Sequence, residues 1–118
     1  MGDPRELGRQ GEDAAVAYLQ GRGMVLVQRN WRCRHGEIDI VAREGRTLVL
    51  CEVKTRSGLG FGAPLGAITA RKCARLRSLA AAYLQETGGH TGPVRIDAVG
   101  ILWGADRPLA LDHVRAVA

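Results

Sequence analysis

The chain has 118 residues, of which 46% are apolar and 25% are charged, so we expect one compact domain over residues 1–118 with no room for a second. No stretch approaches the roughly 18 apolar residues of a membrane span, and the opening MGDPREL lacks the basic start and apolar core of a signal peptide. These features argue against a membrane-spanning chain and favour a cytoplasmic protein with no membrane partner.

The charge balance of 17 Lys+Arg against 12 Asp+Glu gives a net charge of +5, which suits a polyanionic partner such as nucleic acid without proving one. Fifteen of the basic residues are arginine, and Lys54 and Lys72 are the only lysines. The three cysteines are far apart and lack the Cys/His spacing of a zinc site, so we expect thiols in a reducing compartment.

A helix is predicted at the start of the chain, because Asp3 is a suitable N-cap and Pro4 suits the first helical position. We expect Gly21 and Gly23 to end this helix. Gly8 and Gly11 lie inside it, where each glycine costs about 1 kcal/mol relative to alanine. We therefore expect the helix to approach a neighbouring element closely.

Extended segments follow the first helix. We predict strands over residues 24–30, 37–43 and 47–55, with a basic loop at 31–35 and a turn at 44–46. The third of these strands is almost continuously apolar until Glu52, which is typical of a central strand covered on both faces.

The second half of the chain begins with a glycine-rich segment. Four glycines within residues 57–66 predict a loop, which we expect to be a mobile flap. Thr69 predicts the N-cap of a second helix that Gly88 and Gly89 end, and strands are predicted over 93–103 and 109–117. The order of elements predicts an α/β fold in which a mixed β-sheet of about five strands is flanked by α-helices.

Four charged residues occupy positions where the pattern predicts burial: Glu12, Asp39, Glu52 and Lys54. An ionised carboxylate among apolar groups costs several kcal/mol unless it is paired, protonated or bound to a metal. Because side chains alternate along a strand, Glu52 and Lys54 share a face. A two-residue hairpin connection would place Asp39 diagonal to Glu52, and a four-residue connection would place the two carboxylates opposite each other.

Oxygen ligands without nearby His or Cys suit Mg²⁺ or Mn²⁺, which can activate water for phosphodiester hydrolysis. In this interpretation Asp39 and Glu52 bind the metal, Glu12 holds a metal-bound water and Lys54 assists the nucleophile. Glu37 either pairs with an arginine or adds a ligand. The alternative is a structural ion-pair cluster at a sheet edge, with Glu12 a half-exposed acid near a helix start.

Basic residues outside this set are candidate contacts for nucleic acid. Arg32 and Arg34 lie in the predicted basic loop together with Trp31, which would either stack on a base or cover the core. Arg56 follows the strand with the acidic residues, and we expect it to contact phosphate. Lys72, at the rim of the second helix, would either contact a phosphate or extend into solvent.

Several motifs carry a family resemblance: LGRQGED around Glu12, RNWR around Asn30, GEIDIV, CEVKTR, VRIDAV and the lysine at position 72. On these motifs the chain resembles the YraN-like family of small bacterial proteins. Glu12, Asp39 and the Glu52-Val53-Lys54 triplet are similar to the active-site signature of restriction-endonuclease-like nucleases, above all the archaeal Holliday-junction resolvases.

The resemblance implies a restriction-endonuclease-like core and a Mg²⁺-dependent DNA endonuclease acting on branched or structured DNA. By analogy with junction resolvases it also suggests a homodimer. Two alternatives stay open, namely a non-catalytic nucleic-acid-binding module on the same fold and an accessory protein that binds a partner through the flap. The complete set of acids and lysine favours the nuclease.

Overall fold

The computed structural model describes residues 3–57, 65–66 and 68–118, which form two helices and a five-stranded mixed sheet. The predicted α/β architecture is therefore confirmed. The elements in chain order are α1 (Pro4–Gly21), β1 (Val25–Cys33), β2 (Gly36–Glu44), β3 (Thr47–Ser57), α2 (Ala70–Thr87), β4 (Val94–Trp103) and β5 (Pro108–Val114).

The strands lie in the sheet in the order β1-β2-β3-β4-β5. β3 and β4 are parallel, and the other neighbouring pairs are antiparallel. A parallel pair needs a crossover connection, which here contains α2. β3 is thus the central strand, in agreement with its long apolar run.

The two helices cover opposite faces of the sheet. Val49 and Cys51 of β3 pack in the apolar cluster that contains α1, whereas Leu48 and Leu50 pack in the cluster that contains α2. This division follows from the alternation of side chains along a strand.

The ends of the helices agree with the sequence signals. The Asp3 carboxylate accepts a hydrogen bond from the main-chain N–H of Arg5, and the Thr69 hydroxyl accepts one from that of Lys72. Gly88 ends α2 with a φ of 87°, a left-handed conformation that glycine adopts without strain.

Helix α1 approaches β3 most closely at Gly11. A Cβ added at Gly11 would lie 1.8 Å from the Thr55 hydroxyl oxygen, whereas a Cβ added at Gly8 would meet nothing within 4 Å. The predicted close approach is confirmed at Gly11 and is wrong at Gly8.

The main departure from the predicted elements is the length of β1, which continues to Cys33 where a loop was expected. Trp31 is only 5% exposed, packs edge-on against Tyr83 and donates its indole N–H to Glu86. Trp31 therefore covers the core, and the connection to β2 is a turn at residues 34–35. The predicted loop was wrong because an aromatic residue among arginines gives a weak strand signal, which packing against α2 overrides.

Most of the predicted flap, residues 58–64, lies outside the described residues. Within the part of the chain that the structure describes, no helix is long and apolar enough to cross a membrane.

Candidate active site

The candidate site begins where β2 separates from β3. The main-chain pairing of β2 with β3 places Arg43 opposite Leu48 and ends at Ile40 and Cys51. If the same register continued, Asp39 would lie opposite Glu52. Beyond this point the Asp39 carboxylate accepts a hydrogen bond of 2.7 Å from the main-chain N–H of Val53. A side-chain oxygen of β2 thus contacts the β3 backbone past the last main-chain pair.

Glu12 reaches the same region from α1, and its side chain is 13% exposed. Its Oε1 atom accepts hydrogen bonds from Arg29 Nη2 at 3.0 Å and from Asn30 Nδ2 at 2.9 Å. Arg29 also donates to Asp13 at 2.7 Å. The hydrogen bond to Asp13 raises the pKa of Arg29 most, and the bond to Glu12 raises it further, although burial opposes the shift.

An open cleft of about 880 Å³ connects these groups. Of the sequence-predicted site residues, Glu12, Asp39, Lys54 and Arg32 line it, and Glu52 does not. Further positive charge on its walls comes from three more arginines, at positions 5, 9 and 29. The residues that line the cleft thus combine acidic side chains with one lysine and four arginines.

The Asp39 carboxyl has a strongly shifted pKa. Burial raises it to about 6, against the opposite effect of the main-chain hydrogen bond from β3. Smaller increases come from three nearby negative charges, those of Glu12, Glu37 and Glu52. The position of Asp39 is therefore one where a bound positive charge would be stabilised.

Glu52 is held on the α2 side of the sheet. Its carboxylate lies 3.0 Å from Arg75 Nη2 and 3.5 Å from Lys72 Nζ. Arg75 is exposed on α2 and reaches Glu52 from the rim of the helix. Lys72 lies at the rim of the helix, as expected, and contacts an acid of the predicted site.

The remaining basic residues of the prediction lie at the surface. Lys54 makes no ion pair with any described residue. Arg32 donates to Glu37 at 3.0 Å, so of the two alternatives for Glu37 the structure shows the pairing with an arginine. Arg34 and Arg56 are exposed.

The donors present suit a divalent cation in chemistry, because they are carboxylate oxygens in a region of negative charge. Their arrangement is incomplete: in residues 3–57, 65–66 and 68–118 no group of three or more His, Cys, Asp or Glu is placed to hold a metal ion. The cleft provides Glu12 and Asp39, and the ligand role predicted for Glu52 stays a prediction.

Asp97, from the VRIDAV motif, belongs to a different region. It is fully buried, forms hydrogen bonds of 2.7 and 2.9 Å with Arg95, and contacts His113 at 2.8 Å. Burial alone would raise the pKa of Asp97, but the bonds from Arg95 and His113 outweigh it and lower the pKa. We assign this cluster to the structure of the sheet, where it links β4 to β5.

Sequence reasoning missed Arg29, Asn30 and Arg75 as parts of the site. Asn30 carried a usable signal, since asparagine is uncommon in strands and tolerates a left-handed backbone. The two arginines are not distinguishable by sequence from the other exposed arginines of the chain.

Comparison with known proteins shows the family of the chain. Residues 11–101 match the family model described as "Uncharacterised protein family UPF0102". A UPF0102 protein of Clavibacter michiganensis is 52% identical over 112 residues, which covers 95% of both chains. Another, of Nocardia farcinica, is 44% identical over 117 residues, covering 99% of this chain and 92% of the relative. The resemblance to the YraN-like proteins is thereby confirmed, and the chain belongs to the uncharacterised protein family UPF0102.

Proposed function

We propose that the chain is a metal-dependent DNA endonuclease that hydrolyses phosphodiester bonds in branched or structured DNA. The observation that best supports this proposal is the buried Asp39 carboxyl, whose pKa is raised to about 6 and which lines the same open cleft as Glu12 and Lys54. A structural ion-pair cluster would place a cation against Asp39, but among the described residues the contact made by its carboxylate is with a main-chain N–H.

Glu12 and Asp39 are the proposed carboxylates for Mg²⁺ or Mn²⁺. Two are sufficient, because Mg²⁺ in proteins keeps several waters and is held by one or two carboxylates together with substrate phosphates. When bound, the ion would polarise a phosphoryl oxygen and lower the pKa of a coordinated water. Glu52 remains a proposed additional ligand, since its charge also acts on Asp39.

Lys54 is the proposed electrostatic catalyst. Lys54 is among the residues that line the cleft, and its ammonium group would orient the attacking water or stabilise the negative charge that develops on the phosphoryl group. Arg32, at 77% side-chain exposure, is proposed to bind phosphate groups outside the reacting bond. The same role is proposed for Arg34, Arg56 and Lys72.

A second candidate function is a nucleic-acid-binding module that does not cleave. It is favoured by a specific observation, namely that Arg29 neutralises Glu12 while Arg75 and Lys72 neutralise Glu52. In such a protein these pairs of basic and acidic side chains would be permanent and the cleft would bind only the DNA backbone.

Cleavage assays distinguish the two functions. The purified protein is incubated with Mg²⁺ or Mn²⁺ and with linear, flapped and four-way-junction DNAs, and the products are resolved on denaturing gels. The nuclease proposal expects metal-dependent cleavage of at least one branched substrate. Binding to all of them with no product, at any metal concentration, would instead establish the binding module.

Matched variants test the assigned residues. Asp39→Asn, Glu12→Gln and Lys54→Ala should each lower the cleavage rate at least about 100-fold, because each removes a charge that acts on the reacting phosphate or its metal. Asp112→Asn, an exposed acid on β5, serves as the control and should cleave like the wild type. Cleavage that survives Asp39→Asn unchanged would reject this site.

A further inference from the structure

Asn30 has an unusual backbone for a residue inside a strand. Its φ is 55°, in the left-handed region, although it lies within β1. Both neighbours pair regularly with β2, Arg29 with Ile40 and Trp31 with Ile38. A left-handed residue other than glycine costs roughly 1 kcal/mol or more, and asparagine is among the residues that tolerate it best.

The left-handed residue changes the face to which β1 directs its side chains. Arg29 contacts Glu12 on the α1 side, whereas Trp31 packs in the cluster on the α2 side. Two residues spaced by two positions would point to the same face in a regular strand. The partner strand β2 changes face at the same place, since Ile40 packs on the α1 side and Ile38 on the α2 side.

Asn30 and Asp39 occupy the point where both strands change face. The register on either side of Asn30 places it directly across from Asp39. The change of face lets Arg29 and Asn30, which are adjacent in sequence, both donate to Glu12 Oε1. The irregularity therefore places Asn30, which donates to Glu12, at the register position across from Asp39.

We propose that Asn30 is a positioning residue, whose left-handed backbone and side-chain amide fix the Glu12 carboxylate beside Asp39 for metal binding. This inference rests on the proposed function and deepens it. Residues that orient a metal ligand typically contribute about 10- to 100-fold to metal affinity. Because Arg29 also holds Glu12, we expect the lower end of that range for Asn30.

Asn30→Gly separates this role from a purely structural one. Glycine adopts the left-handed conformation without strain, so the variant keeps the backbone while it loses the amide. Asn30→Ala also loses the amide and adds no charge, at a backbone cost of roughly 1 kcal/mol or more in the left-handed region. Gln28→Gly puts the same glycine at another exposed position of β1 and is the control.

The experiment measures Mn²⁺ binding to the full chain by electron paramagnetic resonance, together with the melting temperature. We expect Asn30→Gly to bind Mn²⁺ about 10-fold more weakly than wild type while melting at the same or a higher temperature. Asn30→Ala should bind as weakly as Asn30→Gly, and Gln28→Gly should retain wild-type affinity.

Each other outcome overturns a defined claim. Wild-type affinity in Asn30→Gly would overturn the role of Asn30 and leave the proposed function standing. A wild-type chain that binds no Mn²⁺ and cleaves no DNA would overturn both. If Asn30→Gly melts early, Asn30→Ala decides by the same titration, and early melting of both variants would show that the residue serves the fold alone.

Discussion

The protonation of Asp39 is the residue-scale property that bears most on the cleft. The structure opposes the charged form of this carboxyl through burial and through neighbouring acids, so that its pKa rises from 3.8 to about 6. A group whose pKa is raised on folding stabilises the folded protein at low pH, and this contribution is lost as the pH rises through the folded pKa.

Asp39→Asn should therefore change the pH dependence of stability in the absence of metal. Between pH 4 and pH 7 the free energy of unfolding of the wild type should fall by about 2 kcal/mol relative to the variant, because asparagine has no charge to bury. Urea denaturation in EDTA at a series of pH values measures this difference. Asp112→Asn is the control, and parallel profiles for wild type and Asp39→Asn would contradict the shifted pKa.

Among single elements, helix α1 carries two glycines in different surroundings, and Gly11 is the one that lies against β3. Gly11 lies against Thr55, whereas Gly8 lines the cleft and has no atom near its missing Cβ. The two positions therefore form a natural pair of variants on one helix.

Gly11→Ala should destabilise the protein by about 1–3 kcal/mol, since a methyl group would force α1 away from β3. Gly8→Ala should stabilise it by up to about 1 kcal/mol, because alanine is the better helix former and meets no other group. Thermal and urea denaturation measure both changes. Equal changes in stability for the two substitutions would show that helix propensity, and not packing against β3, determines the effect of Gly11→Ala.

Helix α2 acts on the site through its cations, which hold Glu52 outside the cleft. If Glu52 is a metal ligand, these cations compete with the metal for its carboxylate. Removing one of them should therefore strengthen metal binding in the absence of DNA.

Arg75→Gln should raise the affinity for Mn²⁺ about two- to fivefold, the range that corresponds to the free energy of a partly exposed ion pair. Arg77→Gln, which removes an exposed arginine from the same helix, is the control. Isothermal titration with Mn²⁺ gives both affinities. An unchanged affinity in Arg75→Gln would argue that Glu52 has no part in metal binding.

For the molecule as a whole, the basic groups around the cleft predict a backbone-binding surface. The chain carries a net charge of +5, and α1 contributes Arg5 and Arg9 to the cleft wall near its N-terminus. Each phosphate that such a group neutralises releases counterions, so affinity for DNA should fall steeply with salt.

Arg32→Gln should weaken DNA binding and reduce the slope of log affinity against log salt by about 1. Arg22→Gln, at the opposite end of α1 from Arg5, is the control and should leave the slope unchanged. Fluorescence anisotropy with a labelled duplex at several salt concentrations measures the slopes. Equal slopes for the two variants would place the DNA on another surface.

Local signals in the chain were enough to predict the order of the elements and most of their ends. Asp3 and Thr69 mark helix starts, and Gly88 marks a helix end, because caps and left-handed stops act within one helical turn. The central position of β3 was also readable, since a strand covered on both faces needs an almost continuous apolar run.

Which charged groups meet depends instead on how the elements pack. Glu12 and Asp39 share a cleft because β1 and β2 change face at Asn30, whereas Glu52 pairs with Arg75 of α2 on the other face of the sheet. Periodicity along one strand assumes regular alternation, so it places Glu52 with Asp39 and misses the irregularity. The change of face depends on two strands together with the helix packed against them, and no local pattern in either strand contains that information.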